Sequence, residues 1–272
     1  KTPLEVEALN GVTLQINEGS FTALIGKTGS GKSTFAQHLN GLLVPLSGSV
    51  QVGDYVISSS KKENKKNVKP IRKEVGVVFQ FPEYQLFEET VEKDVAFGLK
   101  NYGVKDDIAL RKAHEALRLV GIDESFYQRS PFDLSGGEKR RVAIAGILVL
   151  SPDILILDEP TAGLDPQGSK IIVDLIKTLN GNGKTIILVS HDMNMVLELA
   201  DEVIVLSDGK KVFQGTPHEL FEKEEAVLNF ELPYLYKFAQ NLIKRGLKIN
   251  IKNINDIESL FNEIEGCKKW VK

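Results

Sequence analysis

The chain has 272 residues, of which 42% are hydrophobic and 26% charged, with 34 lysines and arginines against 37 acids. A net charge of −3 gives no overall attraction to nucleic acid, so no nucleic-acid partner is expected. The longest apolar run, Val142 to Leu150, has nine residues, whereas a membrane-spanning helix needs about 20. The single Cys267 cannot form an internal disulfide, which favours a reducing cytoplasmic compartment.

Short β-rich runs alternate with helical stretches along the chain. Val12–Ile16 and Ser49–Ile57 alternate apolar with polar residues, which predicts half-exposed antiparallel strands. Other runs are apolar on both faces and predict buried parallel strands covered by helices; they are 21–25, 154–157, 186–189 and 203–206. The fold class is therefore α/β with an antiparallel β portion.

Helical spacing of apolar residues dominates two further regions. From Val91 to Leu150 the β signal fades, and Ile108–Val120 has the pattern of an amphipathic helix. Near the C-terminus, Pro233 begins a predicted helix that ends at Gly246, and a second helix is predicted over Asp256–Ile264.

The segment Lys61–Lys73 holds seven basic residues and a single acid, Glu63. This composition predicts a solvated loop. The alternative is a segment attracted to an anionic membrane surface, where each lysine contributes about 1 kcal/mol.

The strand 21–25 runs into a glycine-rich loop that opens a helix, which fits G-x-x-x-x-G-K-[ST] in its required setting. Glycines let successive backbone N–H groups point at a phosphate chain, and the helix adds the positive end of its dipole. Lys32 is expected to reach the β and γ phosphates, and Ser33 to bind Mg²⁺. The predicted phosphate-binding residues are Gly26, Lys27, Thr28, Gly29, Ser30, Gly31, Lys32, Ser33 and Thr34.

Two carboxylates, Asp158 and Glu159, end the apolar run 154–157. The tip of a buried parallel strand lies at the sheet edge where such folds bind ligands. Beside a phosphate loop, Asp158 is expected to hold the Mg²⁺ shell. Glu159 is expected to orient the water that attacks the γ-phosphate.

Ser135, Gly136 and Gly137 precede a predicted helix, and Glu138 follows them. A serine and two glycines at a helix start can bind an anion. The same residues also satisfy a capping box between Ser135 and Glu138, and both interpretations can hold together.

With these three motifs together, residues Leu4–Gly215 resemble the nucleotide-binding subunit of ATP-binding cassette (ABC) proteins. The resemblance implies a P-loop NTPase (RecA-like) core, ATP and Mg²⁺ as ligands, and Ser135–Gly137 acting in trans on the ATP of a second subunit. It implies three further site residues. Gln80 would touch the metal or the water, Asp165 would bind across the dimer interface, and His191 would contact the γ-phosphate.

The stretches Phe79–Phe87 and Glu92–Gly98 narrow the resemblance to the ATPases of energy-coupling factor (ECF) transporters, which take up vitamins or transition-metal ions. Arg140–Gly146 and Glu159–Pro166 resemble the A-prime type of these ATPases more than its A-type partner. Two departures from the family pattern are Glu138, which replaces a glutamine, and the lack of an aromatic residue before Phe21. No residue is therefore assigned to adenine. The implied partners are a second, similar but non-identical ATPase, a transmembrane coupling subunit and a membrane substrate-binding subunit, at the cytoplasmic face of the membrane.

The resemblance also implies a division of the chain. Residues 1–80 and 151–215 would form the nucleotide-binding core with its antiparallel β subdomain, 81–150 a helical signature subdomain, and 216–272 a helical extension that helps dimerisation. Two alternative functions are the ATPase of another ABC importer and a soluble, non-transport ABC ATPase. Against the chromosome-acting type, only 102 residues separate Lys32 from Ser135, with no sustained heptads between them.

Overall fold

The structure, a computed structural model, describes residues 7–223 and 230–268. The chain divides into two compact units. Of the described residues, the first unit comprises 7–15, 21–31, 190–223 and 230–268, and the second comprises 16–20 and 32–189. Within the described ranges no helix is both long enough and apolar enough to cross a membrane. The domain division given by the resemblance stays a prediction.

The described strands and helices follow in chain order. The strands are β1 (Phe21–Ile25), β2 (Ser49–Val52), β3 (Tyr55–Ser58), β4 (Val75–Val78), β5 (Ile154–Asp158), β6 (Thr185–Val189), β7 (Glu202–Ser207) and β8 (Lys210–Gly215). The helices are α1 (Lys32–Leu39), α2 (Lys61–Glu74), α3 (Val91–Asn101), α4 (Asp106–Leu119), α5 (Gly136–Leu148), α6 (Pro166–Gly181), α7 (Met193–Leu199), α8 (Pro217–Phe221), α9 (Tyr234–Lys244) and α10 (Ile257–Lys268).

In the second unit β4, β5 and β6 pair in parallel in that order. The register places Ile156 of β5 beside Val77 on one side and Ile187 on the other. All three side chains are buried, which confirms the predicted strands with two apolar faces. Because the strands are parallel, the segments that follow β4 and β5 leave from the same edge of the sheet.

Elsewhere in the second unit, β2 and β3 form an antiparallel hairpin, as predicted for Ser49–Ile57. The helices α3, α4 and α5 pack on one another and confirm the helical block between Val91 and Leu150.

The loop predicted over Lys61–Lys73 is wrong, because this segment is helix α2. One side of the helix is fixed to the hairpin and to the segment that follows α1. Ile71 is fully buried, and the buried Asn64 bonds both backbone groups of Ser58, at 3.0 and 2.6 Å. Arg72 donates to the Gly41 carbonyl at 3.1 Å. Contacts made by a few residues thus stabilise a helix in a segment of strongly polar composition.

In the first unit β1 pairs in parallel with β7, and β8 pairs antiparallel with β7. Tyr236 of α9 lies in its apolar core, 2% exposed, and α10 packs on α9. Both predicted C-terminal helices are confirmed.

The strand predicted over Val12–Ile16 is wrong. Its side chains do alternate between half-buried and exposed, but the segment forms no β ladder with any described residue. The alternation of apolar and polar residues indicates which side chains face an apolar surface. A β-strand also needs a second strand to which its backbone is hydrogen-bonded.

Candidate active site

The loop between β1 and α1 begins in the first unit, where its glycines are required by close backbone contacts. A Cβ on Gly26 would lie 2.3 Å from the Leu206 carbonyl oxygen and 2.5 Å from Ser30 Oγ. Gly31 has φ +102°, and a Cβ there would lie 2.5 Å from the Ala8 carbonyl oxygen. Only glycine fits at these two positions, so the backbone can wrap as tightly as a phosphate cradle demands.

The polar groups of this loop suit an anion. Lys27, Thr28 and Gly29 are exposed. Ser30 is 4% exposed, and its Oγ has no hydrogen-bond partner among the described residues. A buried hydroxyl without a partner usually indicates a missing ligand or water. The tight glycine turns and this hydroxyl suit a bound phosphate chain, and phosphate binding by these residues stays a prediction.

The chain enters the second unit again at Lys32, and this unit brings four of the predicted residues together. Ser33 Oγ donates to Asp158 Oδ2 at 3.0 Å, although the two residues are 125 positions apart. Burial lowers the pKa of Lys32, and the charges of Asp158 and Glu159 oppose that shift. Burial also raises the pKa of Asp158, whereas the hydrogen bond from Ser33 and the charge of Lys32 act to lower it. An ammonium, a hydroxyl and two carboxylates therefore share one partly buried place. Thr34, one residue on, is half-buried, and its carbonyl accepts from His38 Nδ1 at 2.7 Å.

Ser33 and Asp158 offer a cation one hydroxyl and one carboxylate at this place. In the part of the chain that the structure describes, no group of three His, Cys, Asp or Glu side chains could bind a metal. Mg²⁺, however, is usually bound by one or two protein oxygens with water and substrate phosphates completing the shell. The pair Ser33 and Asp158 fits that pattern.

Glu159 follows β5 with its backbone in the left-handed region, at φ +50°. Its N–H donates to the Val189 carbonyl at 2.9 Å, and its own carbonyl accepts from Ala162 N–H at 3.2 Å. A non-glycine residue in this region is strained by about 1–3 kcal/mol, and such strain concentrates at functional sites. The strained turn fixes the Glu159 backbone one residue beyond Asp158.

At the start of α5 the capping box is confirmed. Ser135 N–H and Oγ both donate to Glu138 Oε2, at 2.8 and 2.7 Å, and Ser135 Oγ accepts from Glu138 N–H at 3.4 Å. These hydrogen bonds lower the pKa of Glu138. Ser135 and Gly136 are exposed, and a Cβ on Gly136 would meet nothing within 4 Å. This surface is open to an incoming ligand, and anion binding by Ser135, Gly136 and Gly137 stays a prediction.

The three residues assigned by resemblance lie on loops. Gln80 follows β4 and is exposed, with no side-chain hydrogen bond among the described residues. Asp165 is the exposed N-cap of α6 and accepts from Gly168 N–H at 2.6 Å. His191 lies in the first unit, two residues after β6, and is exposed. The four residues brought together are thus Lys32, Ser33, Asp158 and Glu159.

Arg140 and Glu83 are linked to this site and were not predicted as site residues from the sequence. Arg140 is 2% exposed and binds Glu83 through two hydrogen bonds, at 3.1 and 2.8 Å. It also donates to the Ala162 carbonyl, and its guanidinium lies 5.5 Å from the Phe81 ring centroid. One side chain of α5 therefore connects the segment after Gln80 with the turn that holds Glu159. The sequence did contain a signal for this pair, since Arg140 lies directly before an apolar helical run. A charged residue buried by such a run requires a partner of opposite charge.

Comparisons with known proteins agree with this geometry. Residues 9–162 match the family model described as ABC transporter. The energy-coupling factor transporter ATP-binding protein EcfA2 of Streptococcus pneumoniae is 54% identical over 250 residues, which cover 90% of this chain and 88% of that protein. The EcfA2 protein of Spiroplasma kunkelii is 47% identical over 267 residues, covering 97% and 87%.

Two solved structures have similar folds. One is cbiO1 of Clostridium perfringens, described as part of the ABC transporter complex cbiONQ, with 39% identity and a TM-score of 0.71 over 88% of this chain and 90% of that one. The other is the dimeric ATP-binding cassette MJ0796 bound to ADP and Pi, with 31% identity and a TM-score of 0.71 over 80% and 94%.

Proposed function

This chain belongs to the ABC transporter family, among the energy-coupling factor transporter ATP-binding proteins, and on that premise we propose how its residues bind and hydrolyse ATP. The observation that carries the proposal is the hydrogen bond between Ser33 and Asp158, beside Lys32 and Glu159. This arrangement places a phosphate-binding cation, a metal-binding pair and a candidate base within one site.

In the proposed mechanism the backbone N–H groups of 26–31 and the ammonium of Lys32 bind the triphosphate. Ser33 and Asp158 would hold Mg²⁺, which when bound would neutralise part of the phosphate charge. Glu159 accepts a hydrogen bond from the attacking water and orients it toward the γ-phosphorus. Gln80 and His191 complete the site, at the metal or water and at the γ-phosphate.

We further propose that ATP closes a dimer with a second, similar ATPase, in which Ser135, Gly136, Gly137 and Asp165 face the partner's nucleotide. The exposed start of α5 supports this, since its glycines leave space for an approaching phosphate. The dimer acts at the cytoplasmic face of the membrane with a transmembrane coupling subunit and a membrane substrate-binding subunit. It drives uptake of a vitamin or a transition-metal ion. The solved relative cbiO1, described as part of a transporter complex, favours such an assembly.

Replacing Glu159 by glutamine tests the catalytic part of the proposal. Glu159→Gln keeps the shape of the side chain but removes the acceptor charge, so we expect ATP to bind normally while turnover falls about 100-fold or more. The matched control is Glu124→Gln on the exposed surface, where the side chain only pairs with Arg118. ATP affinity and phosphate release would be measured on both variants, and near-normal hydrolysis by Glu159→Gln would remove this residue from its role.

Gentle extraction from membranes, with identification of every co-purifying chain, tests the assembly. We expect a second ATPase and two kinds of membrane protein. Recovery of this chain alone, with full ATPase activity, would contradict the proposed complex.

A further inference from the structure

Helix α2 presents a coherent cationic face that the ATPase mechanism does not use. At about 100° per residue, its exposed basic side chains lie within an arc of about 120°, nearly opposite the buried Asn64 and Ile71. Because the opposite side of the helix is anchored, this basic side faces solvent, with Arg72 at its edge also bonded to the Gly41 carbonyl. The exposed basic residues of this face are Lys65, Lys66, Lys69, Arg72 and Lys73.

These charges are not neutralised within the part of the chain that the structure describes, where none of the five takes part in a salt bridge. Two of them are held in place by other contacts. The Lys69 ammonium lies 5.3 Å from the Tyr102 ring centroid, and Arg72 donates to the Gly41 carbonyl at 3.1 Å. A chain with a net charge of −3 thus carries a fixed positive surface, and a fixed surface of one sign attracts a partner of the other.

Exposed apolar side chains lie near the places where α2 is anchored. The run that begins directly after Gly41 includes Leu42, 45% exposed, and Leu46, 92% exposed. On the β3 side Val56 is 37% exposed, and its carbonyl accepts from Asn67 Nδ2 of α2 at 2.8 Å. Large apolar residues are thus exposed close to both places where α2 is anchored. We call this combination the basic-apolar surface; its residues are Leu42, Leu43, Val44, Leu46, Val56, Lys65, Lys66, Lys69, Arg72 and Lys73.

The combination of basic and exposed apolar side chains indicates the kind of partner that this surface binds. A nucleic-acid backbone would satisfy the lysines but offers nothing to exposed leucines. The boundary of an anionic bilayer accepts both, because its headgroups attract cations while its acyl region takes apolar side chains. We propose that the basic-apolar surface binds anionic phospholipid and holds this chain against the membrane. The inference adds a lipid contact to the membrane location proposed above, and it does not depend on the ATP site.

Flotation of the full chain with vesicles tests the inference. One set of vesicles would contain phosphatidylcholine alone. The other would also contain about 40 mol% phosphatidylglycerol, which makes its surface strongly anionic. Each lysine near such a surface strengthens binding about fivefold, so Lys65→Gln, Lys66→Gln and Lys69→Gln together should lower the partition coefficient about 100-fold. Leu46→Ser should lower it about 10-fold.

The control variant removes the same charge from separate exposed positions, through Lys105→Gln, Lys112→Gln and Lys210→Gln. We expect it to bind the anionic vesicles within about twofold to threefold of the unmodified chain, and we expect high salt to weaken the binding of both. Equal losses in the two triple variants, or equal binding to neutral vesicles, would overturn the inference. Tighter binding to duplex DNA than to anionic vesicles at the same salt would also overturn it.

The ATP site provides an independent readout. The α2 triple variant should keep the ATP affinity and basal hydrolysis of the unmodified chain. Normal lipid binding by a chain that fails to hydrolyse ATP would contradict the proposed function alone, whereas normal hydrolysis without lipid binding would contradict this inference alone.

Discussion

Replacing Arg140 by methionine should destabilise the chain severely. The substitution keeps the length of the side chain but leaves the Glu83 carboxylate, whose side chain is 15% exposed, without its cation. Removing one partner of a buried ion pair costs about 3–5 kcal/mol. Because Glu83 keeps some contact with water, we expect about 3 kcal/mol, which for a chain of this size lowers the melting temperature by about 6–12 °C.

Thermal unfolding of matched variants measures this effect. Arg141→Met is the control, because Arg141 is the next residue on α5 and its Nε has no hydrogen-bond partner among the described residues. We expect the control to lose less than about 1 kcal/mol. In a double-mutant cycle, Arg140→Met combined with Glu83→Gln should lose about 2 kcal/mol less than the sum of the two single variants. Equal melting temperatures for Arg140→Met and Arg141→Met would refute the reasoning.

The same residue should also affect hydrolysis. Arg140 holds the Ala162 carbonyl, and Ala162 N–H bonds the Glu159 carbonyl, so losing the guanidinium loosens the strained turn of the proposed base. Arg140→Lys keeps a charge but lacks the planar fork, and it should restore stability better than turnover. The kcat of Arg140→Lys, measured well below its melting temperature, should therefore fall while its ATP affinity is kept. A kcat equal to that of the unmodified chain would show that Arg140 acts on stability alone.

Two more predictions concern the centre of the site. Lys32→Ala removes the ammonium that contacts the triphosphate and should weaken ATP binding about 100-fold by calorimetry; unchanged affinity would contradict the phosphate-loop interpretation. Burial raises the pKa of Asp158 in the folded chain, so its ionised form weakens folding at neutral pH. Without nucleotide, Asp158→Asn should therefore raise the stability at pH 7, with a gain that shrinks as the pH falls toward the ordinary carboxyl value of 3.8. If the stability gained by Asp158→Asn grew as the pH fell, the pKa of Asp158 would be lowered by folding and not raised.

Prediction from sequence succeeded where a local pattern carries its own physical requirement. The phosphate loop needs glycines for its backbone path, and the structure shows why Gly26 and Gly31 tolerate no side chain. Ser135 and Glu138 lie three residues apart, which is the spacing that a capping box requires. Strands buried on both faces, such as β5 and β6, contain the apolar runs 154–157 and 186–189 and could be identified directly.

Prediction failed where the outcome depends on distant partners. The polar segment over α2 becomes a helix because Asn64, Ile71 and Arg72 find anchors on β3 and before β2. Val12–Ile16 has the alternation of a strand but lacks a described ladder partner.

The family and the order of the site motifs could be read from the residues alone, because glycine positions, capping spacing and apolar runs are local constraints. The hydrogen bond between Ser33 and Asp158, 125 positions apart, and the link that Arg140 makes between two site loops became evident in the folded chain. Hydrogen bonds and buried ion pairs depend on distance in space, and chain folding sets those distances through packing that no local pattern encodes.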